Sequence, residues 1–131
     1  MRVTTTIALL LVLAAPAAAI PNSGADTPSR LLFKQARLFK QANFQAMYAT
    51  YTPNFRKRCP WRRFLRGQAQ ARQILGVHFT LRGVRVRTVT SRRALLAYRF
   101  VTERGQISIT GDLYVKMGNA WYDEYDRVTS C

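Results

Sequence analysis

Apolar and polar positions alternate most sharply over residues 93–127. There Ala94, Leu96, Tyr98 and Phe100 take every second place, and Ile107, Ile109, Leu113 and Val115 alternate back. Period-two spacing predicts antiparallel strands with one face on a core. Taking Arg104-Gly105 as a two-residue turn pairs Glu103 with Gln106. Phe100 then faces Ile109, Leu96 faces Leu113, Ala94 faces Val115, and Tyr98 meets Gly111. A third strand follows, and its register has two solutions. A Gly118-Asn119 loop turns Tyr122, Glu124 and Asp126 inward, whereas a Met117-Gly118-Asn119 loop turns Trp121, Asp123 and Tyr125 inward. The second buries an indole and a phenol and leaves Glu124 and Asp126 outside, so it is preferred.

Upstream the period changes. Thr27-Pro28 supplies an N-cap followed by proline at the first helical position. A stripe of Leu32, Ala36, Phe39, Ala42, Asn43 and Ala46, opposite Arg30, Lys34, Arg37 and Gln41, predicts one helix to about residue 50, stopped by Pro53. Residues 55–60 read as a basic connector. A second helix is predicted over 61–75, ending at Gly76. Over 77–90 the apolar phase switches at Gly83, from Val77, Phe79 and Leu81 to Val84 and Val86, which predicts a bulged strand. Helices first and strands after give an α+β class: two N-terminal helices packed on a curved four-stranded antiparallel sheet.

The first 19 residues belong to none of this. Arg2, an apolar run over 7–15 and the small residues Ala17-Ala18-Ala19 have the form of a secretory signal peptide cut near Ala19. The run is shorter than the roughly 20 residues of a membrane span. The expected organisation is a leader over 1–19, a mobile linker over 20–27 and one domain over 28–131, without a transmembrane segment in the mature chain. The address is secreted, periplasmic or at the cell envelope. In an oxidising compartment the two cysteines, Cys59 and Cys131, are expected to form a disulfide.

The formal net charge is +15 at pH 7, one unit less once Arg2 leaves with the leader. Such a charge favours anionic partners and says nothing about fold. Arg56, Lys57, Arg58, Arg62, Arg63 and Arg66 cluster around Cys59 among Phe55, Trp61 and Phe64, and form the candidate polyanion-binding set. Export directs that set to acidic envelope polymers or lipid headgroups and away from specific nucleic acid. A coding bias accounts for the excess of arginine over lysine as readily as selection does. One histidine, His78, read as a surface residue, two distant cysteines and scattered acids give no metal-ligand spacing. No phosphate-cradling glycine loop or nucleophile elbow is present, and no cofactor is implied.

Four segments carry a resemblance: M-Y-A-T-Y-T-P-N-F, R-C-P-W-R-R-F, A-L-L-A-Y-R-F-V-T-E-R-G and D-L-Y-V-K-M-G-N-A-W-Y-D-E-Y-D. Together they resemble the nuclear transport factor 2-like (SnoaL-like) superfamily, a cone-shaped relative of the cystatin fold, and span most of 28–126. The resemblance implies a pocket between the first helix and the concave sheet, in a shallow cone. Family members include isomerases, dehydratases, small-ligand binders and catalytically silent partner domains. The implied pocket residues here are Tyr48, Tyr98, Trp121, Asp123 and Tyr125. Asp123 with Tyr98 and Tyr125 is the candidate catalytic set, a carboxylate base beside phenols that donate to an oxyanion. The alternative for Asp123 is an ion pair with one of the many arginines. The leading expectation is an exported, non-catalytic domain that binds a small apolar ligand or a protein partner. A small isomerase or dehydratase and a non-specific polyanion binder are the alternatives. A dimer is compatible with the sequence, which does not fix the oligomeric state.

Overall fold

A computed structural model describes residues 23–125 and Cys131. The leader, residues 20–22 and Asp126 lie outside the described residues. Four helical segments precede four strands: α1 (Pro28–Lys40), α2 (Phe44–Tyr48), α3 (Pro53–Arg58), α4 (Trp61–Leu75), β1 (Thr80–Thr90), β2 (Arg93–Thr102), β3 (Gly105–Met117) and β4 (Ala120–Asp123). The strands form one open antiparallel sheet in sequential order. The core joins Leu31, Leu32, Leu38 and Phe39 of α1, Phe55 of α3 and Phe64, Ala71 and Leu75 of α4 to Leu96, Tyr98 and Phe100 of β2 and Tyr114 of β3.

The expected long helix is broken. After α1 the chain reverses at Ala42, whose φ of 54° is left-handed. Asn43 N–H reaches back to the Leu38 carbonyl (2.9 Å) and Ala42 N–H to that of Phe39 (3.1 Å), a pair of bonds that closes a helix end. The Asn43 side chain then caps α2. The expected connector is also helical. Thr52 caps α3 through a bond from Phe55 N–H, and Pro53 occupies its first turn, so this proline starts a helix as Pro28 does.

Both hairpins depart from the expected registers. The first turn is Glu103-Arg104, with Thr102 paired to Gly105, so Phe100 faces Ile107 and Tyr98 faces Ile109. Two residues of β3, Thr110 and Gly111, then stand against Ala97 alone. Beyond this bulge Leu96 faces Asp112 and Ala94 faces Tyr114. Gly111 takes φ 67°, a conformation costly for any residue with a Cβ. Asp112 and Tyr114 therefore point into the core, and Leu113 and Val115 lie on the outer face. The second hairpin has the two-residue Gly118-Asn119 loop, with Gly118 in the left-handed region (φ 62°). Because β3 has already changed phase, this loop still turns Trp121 and Asp123 inward.

The expected bulge in β1 is present. Gly83 (φ 63°) and Val84 stand against Tyr98, between the Arg82–Arg99 and Arg85–Ala97 pairs. The two bulges thus flank neighbouring residues of β2, and the sheet bends along that line. The free edge of β4 is occupied: Ala25 and Trp121 exchange backbone bonds of 3.2 and 2.7 Å, and Tyr51 bridges to Asp123. Residues 23–26, part of the stretch read as a linker, are held there. A Cβ on Gly24 would lie 2.4 Å from the Trp121 carbonyl oxygen. β1 forms the other edge of the sheet.

The disulfide joins Cys59, the fully buried C-cap of α3, to Cys131, with a Cα–Cα distance of 5.6 Å. Among the described residues no helix is long and apolar enough to cross a membrane.

Candidate functional site

Between α1, α4 and the sheet lies a cavity of about 50 Å³, lined by apolar side chains and by Gln35, Gln68, Tyr98, Asp112, Asp123 and Tyr125. Gln35 sits in the middle of α1, and its buried amide organises one wall. It accepts from the Tyr114 hydroxyl (2.8 Å) and donates to Thr50 Oγ1 (3.0 Å) and Asp123 Oδ2 (3.2 Å). Asp123 Oδ1 accepts from Tyr125 N–H (3.1 Å). The backbone of Asp123 is clamped as well, by bonds of 2.9 Å to the Thr50 carbonyl and from Thr52 N–H. Opposite, the Tyr98 hydroxyl donates to Asp112 Oδ2 at 2.7 Å. Among the described residues no lysine, arginine or histidine lines the cavity.

Full burial pushes the Tyr114 phenol well above its ordinary value, with the nearby Asp123 and Asp112 carboxylates adding to the effect. Tyr114 is thus a fixed hydrogen-bond donor across the ordinary pH range.

Of the residues expected to meet, Tyr98, Asp123 and Tyr125 line the cavity; Tyr48 and Trp121 do not. Tyr48 points away. Its hydroxyl donates to the Cys59 carbonyl (2.7 Å) and the Arg56 carbonyl (3.2 Å), closing the end of α3 while its ring packs on Trp61 and Phe64. Burial raises the Tyr48 phenol, against the opposing effect of the Arg56 charge. Trp121 is buried where β4 pairs with Ala25. Asp112, Gln35 and Tyr114 escaped the sequence reading. The signal for the first and last was Gly111, a lone glycine inside a strand pattern, which marks a bulge and reverses the facing of everything beyond it.

A carboxyl in hydrogen bond with a phenol, beside a second carboxyl in a small cavity, is chemistry suited to moving a proton. Room is the constraint. A water needs roughly 10–15 Å³ of such space, and small-molecule pockets run to about 300–1,000 Å³. The cavity accommodates water and no organic substrate.

The basic set is dispersed in role. Arg58 binds the Glu124 carbonyl (2.7 Å) and carboxylate (3.4 Å) and lies over the Tyr125 ring, fastening α3 to the end of β4. Arg56 is half-buried, whereas Lys57, Arg62, Arg63 and Arg66 are exposed. His78 is exposed ahead of β1. Among the described residues no group of His, Cys, Asp and Glu could hold a metal ion.

No family model and no curated protein matches this chain.

Proposed function

We propose that the mature chain is an exported, non-catalytic binding domain of nuclear transport factor 2-like shape, with its basic surface toward an anionic cell envelope. The observation that carries this reading is the filled interior. The carboxyl of Asp123 is spent on Gln35 and Tyr125, and about 50 Å³ remains. A domain closed inside acts through its outside. Its disulfide suits an oxidising compartment. Of the two kinds of partner considered, a macromolecule fits better than a small apolar ligand.

The test uses residues 20–131. Retention on immobilised heparin, released by salt, together with no thermal shift from a panel of planar apolar molecules, is the expected result. Passage through the heparin matrix at low salt, or a ligand that raises the melting temperature by several degrees, refutes it. The isomerase or dehydratase reading rests on the Tyr98–Asp112 pair beside Asp123. It becomes the better one if such a ligand is found and Asp123→Asn abolishes its binding.

A further inference from the structure

The outer face of the sheet carries a charge arrangement that the fold does not neutralise. Arg82 of β1 stands directly opposite Arg99 of β2. Like charges in that position oppose pairing. Arg85 and Arg87 continue the same face of β1, opposite Ala97 and Leu95. All four arginines are exposed, and none takes part in an ion pair among the described residues, where Arg30 pairs with Asp26 and Arg58 with Glu124. The other described acids are elsewhere: Asp112 and Asp123 are buried beneath the opposite face, and Glu103 lies in the hairpin turn.

The bulge shapes this surface. Gly83 has no side chain, and the Arg99 guanidinium lies across it, close enough that a Cβ there would sit 3.4 Å from Arg99 Cζ. An open cleft of about 550 Å³ runs over the site, walled by Arg85 and Arg99 and lined on the β3 side by Ser108 and Thr110. Forked guanidinium donors and hydroxyl donors thus face one trough. Arg85 and Arg87, two residues apart on one strand, repeat at about 6.6–6.8 Å.

We propose that this face, rather than the 56–66 cluster, is the docking surface for a linear anionic polymer bearing phosphate groups and no bases. The inference rests on the reading of an exported, envelope-facing domain and names the surface and ligand chemistry within it. An anion between Arg82 and Arg99 relieves their repulsion, and guanidinium forks match phosphate oxygens in pairs. The polymer must span the row, since a single phosphate reaches only one end. Nucleic acid fits less well. Stacking platforms need aromatic rings, and the outward ring on the sheet is Tyr122 of β4, two strands away from β2 and hydrogen-bonded to Ser23. A second copy docking by the same face brings four more arginines onto these four.

The experiment measures binding of residues 20–131 to fluorescent inorganic polyphosphate across a salt series. Arg85→Ser/Arg87→Ser is compared with Arg62→Ser/Arg63→Ser, an equal loss of charge from α4. The sheet pair should weaken binding at least about tenfold and flatten the log–log salt dependence by about 1.4, two contacts' worth. The α4 pair should cost less on both measures. Arg85→Lys/Arg87→Lys restores the salt slope if the sheet pair acts through charge contacts, and separates that from misfolding. Equal losses from both serine pairs overturn this inference and leave the general reading standing. Tighter binding of heparin or single-stranded DNA than of polyphosphate at equal charge overturns the choice of polymer. No binding of polyphosphate or heparin at low salt overturns both readings.

Discussion

Gln35 joins α1 to β3, β4 and the turn at Thr50, so its removal should be felt at three places at once. Gln35→Leu keeps an apolar stem and deletes both the acceptor of the Tyr114 hydroxyl and the donor to Asp123. Thr50 Oγ1 keeps its bond to the Met47 carbonyl and is the least affected. A buried hydroxyl left without its acceptor costs about 1–3 kcal/mol, and a hydrogen bond to a carboxylate is worth about 1.5–3 kcal/mol. The substitution should therefore destabilise by about 3–5 kcal/mol. Tyr114→Phe alone strands only the Gln35 oxygen, for about 1–3 kcal/mol. The double variant no longer contains the hydroxyl that Gln35→Leu would orphan, so its loss should fall short of the sum by about 1–2 kcal/mol. Urea unfolding of all four proteins, followed by tryptophan fluorescence at constant m, gives the cycle. Additivity within about 0.5 kcal/mol refutes the Gln35–Tyr114 bond and with it this account of how α1 is seated.

Four further outcomes are expected. Cys131→Ser should lose up to about 4 kcal/mol, since the disulfide spans 72 residues, and non-reducing mass spectrometry of the parent should find no free thiol. Ala42→Gly should be neutral or stabilising in thermal melts, because the position is left-handed; within a continuous helix it would cost about 1 kcal/mol. Gly24→Ala should cost about 1–3 kcal/mol by forcing 23–26 off β4, visible as faster amide exchange at Trp121. Tyr114 retains its proton in the folded state above the pH where the unfolded chain loses it. The unfolded state then binds fewer protons, and this group's contribution to stability falls by about 1.4 kcal/mol per pH unit above about pH 10, until the folded phenol itself titrates. Phenolate absorbance should show Tyr114 ionising only as the protein unfolds, as a contribution that Tyr114→Phe removes.

Much of the architecture is written in local signals. Thr27-Pro28 begins a helix, Gly76 ends one, and Gly83 marks a bulge, because each acts through its own backbone. The helix break at Ala42 is not legible this way, since alanine is the best helix former and takes a left-handed conformation here under the closing bonds of Asn43 and its own amide. Thr52-Pro53 repeats the signature of Thr27-Pro28, yet proline also ends helices, and only the chain's path decides between the two. The inward facing of Trp121 and Asp123 was reached from a three-residue loop and an unbulged β3. The structure has a two-residue loop and a bulge at Gly111, and the two differences cancel along β4. They do not cancel along β3, which is why Asp112 and Tyr114 were missed at the site. Gln35 was illegible for another reason: a glutamine on a basic helix looks solvated until its partners, 15 to 88 residues away, are folded around it.

The occupied edge of β4 has a consequence for assembly. A sheet with two bare margins can add neighbours on both sides, whereas here Ala25 and Tyr51 use up the margin of β4. β4 itself covers only residues 114–117 of β3. β1 is the strand left without a neighbour along its whole outer margin, and two copies that meet along it close on a two-fold axis. Addition beyond β4 requires the segment at 23–26 to be pulled away first.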